Sequence, residues 1–228
     1  CQFHEASTEE IDHAVSKADA AFNRYRLLSG REKAAFLERI AESIDVAKDD
    51  LIDIAMQETH LPEGRLKGEV QRTINQAKLF AQLLREGSWV NAIIDTAIPD
   101  RTPLPKPDIR QLQIALGPVG VFGASNFPFA FSVAGGDTIS ALAAGCPVVY
   151  KAHPGHPAIS EIVAVLINKA AQELNLPDGV FSMLQGETIE TGQSLVMHPL
   201  LKAVAFTGSF RGGKAIYDST AKREGPIP

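Results

Sequence analysis

The sequence predicts an α/β protein: a Rossmann-like parallel sheet with flanking helices, preceded by a helical N-terminal segment and an extended or hairpin arm. Three observations carry that expectation. Residues 7–86 repeat apolar side chains at helical spacing, residues 89–116 are broken by prolines, and from Gly117 onward short apolar runs alternate with helical stretches.

The helical third is punctuated by its own start signals. Ser7 with Glu10 and Ser29 with Glu32 each form a capping box. Behind the first, Ile11, Ala14, Val15, Ala18, Phe22 and Tyr25 share one face; behind the second, Phe36, Ile40, Ala41, Ile44 and Ala47 do, continuing through Leu51 to Met56. Pro62 suits a first helical turn, ahead of Leu66, Val70, Ile74 and Ala77. The charges on these helices read as solvated faces. Pro99, Pro103, Pro105 and Pro107 then exclude helix, and Leu112, Ile114 and Leu116 alternate with Gln111 and Gln113 as a half-exposed strand does, open to pairing with another chain. The later strands are expected at Val119–Phe122, Pro147–Tyr150, Val180–Leu184 and Ala203–Phe206. Helical stretches such as Ile159 to Leu174 lie between them, as in right-handed βαβ units.

Composition bounds the function. The 228 residues, 45% of them hydrophobic, suffice to bury roughly 70% of the chain's surface. A net charge of -5 argues against nucleic acid or an anionic membrane as partner and favours small molecules. No apolar run reaches the ~18–20 residues of a membrane span, and no basic-then-apolar leader opens the chain, so a cytoplasmic protein is expected. Cys1 and Cys146 do not read as a disulfide framework, and Cys146, just before a buried strand, reads as packing.

Three stretches carry candidate chemistry, each at a strand end. The first is Thr207-Gly208-Ser209-Phe-Arg-Gly212-Gly213-Lys214, where backbone amides and a helix N-terminus make a phosphate or pyrophosphate site. Gly208-x-x-x-x-Gly213-Lys214 is also a P-loop pattern, but Ala215 replaces the hydroxyl that would hold magnesium. Nor does Gly117-Pro-Val-Gly120-Val-Phe-Gly123 complete a G-x-G-x-x-G fingerprint. In the second stretch Asn126 stands in a turn stiffened by Pro128; its amide suits a developing oxyanion, although an asparagine before Phe-Pro is, taken alone, more often a turn former. The third holds Lys151, a donor to ribose hydroxyls or phosphate when it is not merely solvated, and His153 and His156, whose prolines and lack of further ligands exclude a metal site.

Gly117-Pro-Val-Gly120, Asn126-Phe-Pro128, Ala143-Ala-Gly-Cys-Pro-Val-Val-Tyr-Lys151, Leu184-Gln-Gly186 and Phe206-Thr-Gly-Ser209 with Gly213, in that order, resemble the cofactor-binding half of the aldehyde dehydrogenase superfamily from about Ser7 onward. The stretch from Phe122 to Asp137, with Lys151 to Pro157, is similar to the 2-oxoglutarate semialdehyde (2,5-dioxovalerate) dehydrogenases and their NADP-linked fatty-aldehyde relatives. The resemblance implies oxidation of such an aldehyde to the carboxylic acid with NADP or NAD. It implies Asn126 in the oxyanion hole, Phe122 and Gly123 beside the nicotinamide, Lys151 with His153, Pro154 and Gly186 at the adenosine ribose or its 2′-phosphate, and Phe206, Gly208, Ser209 and Gly213 at the pyrophosphate. Where NAD-preferring members often carry a glutamate, Pro154 stands here, so NADP is expected to be accepted.

The resemblance further implies three regions: 1–88, a helical part of the cofactor-binding domain; 89–116, an extended arm with oligomerisation strands for a homodimer or homotetramer; and 117–228, the NAD(P)-binding core. The general-base glutamate and nucleophilic cysteine would lie beyond Pro228, leaving this chain inactive alone. A stand-alone nucleotide-binding module and a P-loop-like phosphotransferase are the alternatives.

Overall fold

The computed structural model describes residues 3–228, so Cys1 lies outside the described residues. Three long helices come first: α1 (Thr8–Tyr25), α2 (Gly30–Thr59) and α3 (Glu63–Glu86). Both expected capping boxes form. Ser7 and Ser29 accept hydrogen bonds from the amides of Glu10 and Glu32, whose carboxylates accept in return from the serine amides. α2 ends where His60 turns left-handed and α3 where Gly87 does. Pro62 is the residue before α3, not a member of its first turn. A Cβ on Gly30 would sit 2.4 Å from the Leu84 carbonyl oxygen, so the start of α2 touches the end of α3 and the pair is antiparallel.

A hairpin of β1 (Ile93–Asp95) and β2 (Ile109–Gln111) follows. The strand expected over Leu112, Ile114 and Leu116 is corrected: β2 ends at Gln111, and these three side chains are exposed outside any strand. The ladder stops because its last pair is Ile93 with Gln111, and just before β1 the backbone turns away at Asn91 with φ of 46°. The Gln113 amide instead donates to the Val90 carbonyl at 2.8 Å.

The main sheet has four parallel strands, β3 (Val119–Phe122), β4 (Val148–Lys151), β5 (Phe181–Leu184) and β6 (Ala203–Phe206), in the order β5-β4-β3-β6. Each is followed by a helix: α4 (Gly136–Ala144), α5 (Pro157–Glu173), α6 (Ile189–Met197) and α7 (Phe210–Ala221). Successive residues of β4 face opposite ways: Val148 and Tyr150 join the cluster built by α2, α3, α4 and α5, while Val149 joins that of α1 and α6. The sheet is therefore covered on both sides, as a parallel sheet requires. Two charges expected on solvated faces are buried instead, Lys33 (5% exposed) and Glu69 (6%). No helix among the described residues is long and apolar enough to cross a membrane.

Leu37 lies fully buried between these layers, whereas Val46 on the same helix is 90% exposed. Leu37→Ala is expected to cost about 2–5 kcal/mol in urea unfolding, and Val46→Ala less than about 0.5 kcal/mol.

Candidate functional site

The strand order reverses between β3 and β6. β3, β4 and β5 run outward in one direction; β6 returns to the other side of β3. Helices after β3 and β6 therefore leave on opposite faces, and a crevice opens at the carboxyl ends of these two strands. The four strands end level, with Phe122 paired to Phe206 on one side and Lys151 on the other, and Lys151 to Leu184. Most of the residues singled out in the sequence thus emerge along one sheet edge, and Phe122, Gly123 and Phe206 to Ser209 emerge at the reversal itself.

The glycine stretch after β6 is shorter as a loop than the sequence suggests. α7 begins at Phe210, so Gly212 and Gly213 lie inside its first turn. Their amides are spent locally, Gly212 donating to Ser209 Oγ at 3.2 Å and Gly213 to the Ser209 carbonyl at 3.0 Å. Glycine is needed here for a different reason: the Phe206 ring lies under the turn. A Cβ on Gly208 would meet Phe206 Cζ at 2.6 Å, one on Gly212 the same atom at 2.9 Å, and one on Gly213 Cδ1 at 3.2 Å. Thr207 ties the turn down, its amide donating to the Phe122 carbonyl (3.2 Å) and its hydroxyl to Asp137 Oδ2 (2.8 Å). Lys214, the lysine of the P-loop pattern, pairs with Asp218 one turn on in α7.

The helix ends at this edge differ in charge. α4 carries Asp137 in its first turn. At α5 the Glu58 carboxylate, reaching across from α2, accepts from the amides of Ala158 (2.8 Å) and Ile159 (3.0 Å). At α6 Glu5 accepts from the Thr188 amide at 3.0 Å, the Thr188 hydroxyl and Thr191 Oγ1 at 2.9 Å, which hold its carboxyl below the ordinary value. α7 has only the Ser209 hydroxyl, no acidic residue in its first turn, and Arg211 there. Among the described residues no carboxylate accepts from its cap or first-turn groups, although Asp137 accepts from Thr207 in the loop ahead of it.

At the end of β4, Lys151 is a strand residue and is 9% exposed. Its ammonium donates to the Gly186 carbonyl, and burial pushes its pKa down against the opposing pull of Glu5 and Glu187. Pro154, Gly186, Glu5 and Glu187 line a cleft of about 260 Å³ here. His153 accepts from the Gly155 amide at 3.0 Å; burial, then the neighbouring His156 and Lys151, lower its pKa to about 4. His156 is fully buried, with Nε2 donating to the Ala124 carbonyl (3.0 Å) and Nδ1 3.1 Å from Ser160 Oγ. No group of three or more His, Cys, Asp and Glu side chains with metal-binding placement occurs among the described residues.

Gly123 leaves room for the buried Tyr150 hydroxyl, which would lie 1.8 Å from a Cβ there. Asn126 follows in an exposed turn. Cys146 is a free thiol, 4% exposed, packed among apolar neighbours ahead of β4. A groove of about 900 Å³ runs between α1 and the open edge of β5; of the strand-end residues above it touches Leu184 but not Phe122, Lys151 or Phe206.

These features define an open, doubly wound α/β protein with its crevice at the reversal of strand order. The chain belongs to the aldehyde dehydrogenase family, whose sequence profile matches residues 1–227. It is similar to the alpha-ketoglutaric semialdehyde dehydrogenase of Acinetobacter baylyi (49% identical over 226 residues) and to alpha-ketoglutaric semialdehyde dehydrogenase 2 of Azospirillum brasilense (50% over 226 residues). Each match covers 99% of this chain and 43% of the relative, so the chain spans less than half the length of the curated relatives it matches. The NAD-dependent benzaldehyde dehydrogenase of Corynebacterium glutamicum superposes with a TM-score of 0.82 at 27% identity, over 98% of this chain and 46% of that one.

Between pH 6.5 and about 4 an unfolded chain takes up a proton at His153 that the folded chain refuses. Folding stability from this histidine is complete above pH 6.5 and is lost as the pH falls towards 4. The urea midpoint is expected to drop over that window, and the drop to shrink in His153→Gln.

Proposed function

We propose that this chain is the cofactor-binding part of a longer enzyme that oxidises an aldehyde to a carboxylic acid with NAD(P)+, acting on 2,5-dioxovalerate to give 2-oxoglutarate. One observation carries the cofactor assignment: of the four helices after the strands, α7, at the reversal of strand order, is the one with no acidic residue in its first turn and no carboxylate accepting from its cap or first turn among the described residues. A dinucleotide's pyrophosphate there meets the Phe210 and Arg211 amides, the first-turn donors that Ser209 does not take up, and the positive dipole end. The substrate assignment is supported by the two relatives named as alpha-ketoglutaric semialdehyde dehydrogenases, each near half identical.

The bound nucleotide supplies the hydride acceptor. The chain's own residues hold it in register. Ser209 fixes the start of α7, Phe206 supports the turn from below, and Phe122 and Gly123 wall the crevice beside it. Lys151 faces the adenosine ribose from β4, with His153, Pro154 and Gly186 completing that end. Asn126, at the end of the β3 turn, donates its side-chain amide to the oxygen of the aldehyde as negative charge builds on it. The nucleophile and general base belong to the remaining part of the enzyme, and a homodimer or homotetramer is the proposed assembly, with the exposed β1 and β2 strands as its contact.

Pro154 leaves NADP unopposed by the carboxylate found at that position in many NAD-preferring relatives, so NADP is accepted. A second reading is favoured by Glu5 and Glu187, two carboxylates that act on Lys151 and line the cleft beside Pro154 and Gly186. They repel a 2′-phosphate and favour NAD.

Titration of the complete gene product with NAD+ and NADP+, followed by turnover of 2,5-dioxovalerate, tests both. Lys151→Ala is expected to weaken NADP+ binding by about tenfold or more, the loss of one charge-assisted contact. Unchanged NADP+ affinity would remove Lys151 from the site. Absence of binding by either nucleotide would overturn the cofactor assignment.

A further inference from the structure

Helix α3 presents a row of Arg65, Glu69 and Arg72, four and three residues apart and so on one helical face, to the chain that follows β3. The Arg65 guanidinium donates through Nη2 to the backbone carbonyl of Asn126, and its Cζ lies 4.8 Å from the centroid of the Phe127 ring. Glu69 Oε1 accepts from the amides of Phe129 at 2.8 Å and Ala130 at 3.0 Å. Arg72 Cζ stands 5.1 Å from the Phe131 ring centroid. One rigid helix thus grips residues 126–131 at three points.

That segment belongs to no strand or helix. Its far end is fixed by burial of Phe129 and Ala130 and by the Ala124 and Gly136 amides, which donate to the Phe131 (2.8 Å) and Ala130 (3.2 Å) carbonyls, whereas Asn126 at its exposed head is held by Arg65. Glu69 bears a cost that packing alone does not explain. Its carboxylate is buried, and Oε2 has no hydrogen-bond partner among the described residues. Removing a carboxylate from water is unfavourable by several kcal/mol unless its interactions compensate. Here the compensation is spent on the two amides just beyond Asn126, while Arg65 holds the carbonyl of Asn126 itself.

We propose that Arg65 and Glu69 are positioning residues, which act through Asn126 by holding its turn in one conformation at the mouth of the crevice. This rests on the reading of Asn126 as the donor to the aldehyde oxygen. A donor pre-set for a developing charge needs no reorganisation as the reaction proceeds, and the α3 row supplies that rigidity from outside the strand-end loops.

The test is a double-mutant cycle on aldehyde oxidation by the complete gene product, with nucleotide KM and thermal midpoint recorded for each variant. Asn126→Ala is expected to lower kcat by about 10²–10³-fold. Arg65→Met is expected to lower kcat about tenfold with nucleotide KM unchanged, Arg65→Lys to recover part of that loss, and Arg65→Met to add nothing once Asn126 is already alanine. Glu69→Gln, which keeps an acceptor for both amides, is expected to stay close to wild type, while Glu69→Ala speeds hydrogen exchange at Phe129 and Ala130 and slows turnover. Independent, multiplying effects of Arg65→Met and Asn126→Ala would overturn the proposal, as would a loss that appears in nucleotide KM. A slow Asn126→Ala beside an unaffected Arg65→Met refutes the α3 grip alone. Wild-type turnover by Asn126→Ala refutes the role of Asn126, and the grip with it.

Discussion

The site depends on one constraint of the sheet: four parallel strands end level, and their order reverses between β3 and β6. Level ends put Phe122, Lys151, Leu184 and Phe206 in one row, so the loops after them open on a common edge. The reversal sends α4 and α7 to opposite faces and leaves a gap between them at the strand ends. Had β6 added outside β5, the same loops would follow one another along a closed edge. The aromatic pair Phe122 and Phe206, ring centroids 6.4 Å apart, packs at the base of that gap.

Electrostatics then distinguish one loop from its neighbours. Every parallel βα unit points a helix N-terminus at this edge, which would make four anion sites. Two are occupied from within the chain, by Glu58 at α5 and by Glu5 at α6, while Asp137 lies in the first turn of α4 and accepts from Thr207 in the loop ahead of α7. Two of those carboxylates come from the N-terminal helical region, which thereby does more than cover one face of the sheet. It selects which helix end stays open.

The sheet was legible because its signals are local. Alternating apolar runs, capping boxes at Ser7 and Ser29, and glycines after strands each occupy a few neighbouring residues, and the ordered motifs carried the family. The strand misplaced onto Leu112 to Leu116 shows the limit: alternation describes a side-chain pattern, but pairing needs a partner, and the three residues of β1 run out at Ile93. The glycine stretch shows another. Gly208, Gly212 and Gly213 read as a loop open to a ligand, and in space they also make room for the Phe206 ring, a contact set by one residue just upstream. Glu58, Arg65 and Glu69 were hidden for the opposite reason. On a helix their spacing is that of ordinary solvated charges, and their partners lie 60 or more residues away along the chain.

The long-range carboxylates share a logic. A carboxylate that accepts backbone amides gives up hydration and gains two directed bonds, a favourable exchange only if the amides would otherwise lack partners. Glu58 meets two amides that the geometry of a helix start leaves open, at α5, and Glu5 meets the Thr188 amide and two hydroxyls at the start of α6. Glu69 meets amides in an irregular turn, where the chain had freedom to form its own bonds. The α3 helix therefore adds long-range anchors to a turn that Pro128 and its own backbone bonds already shape, and the residue at the head of that turn is Asn126.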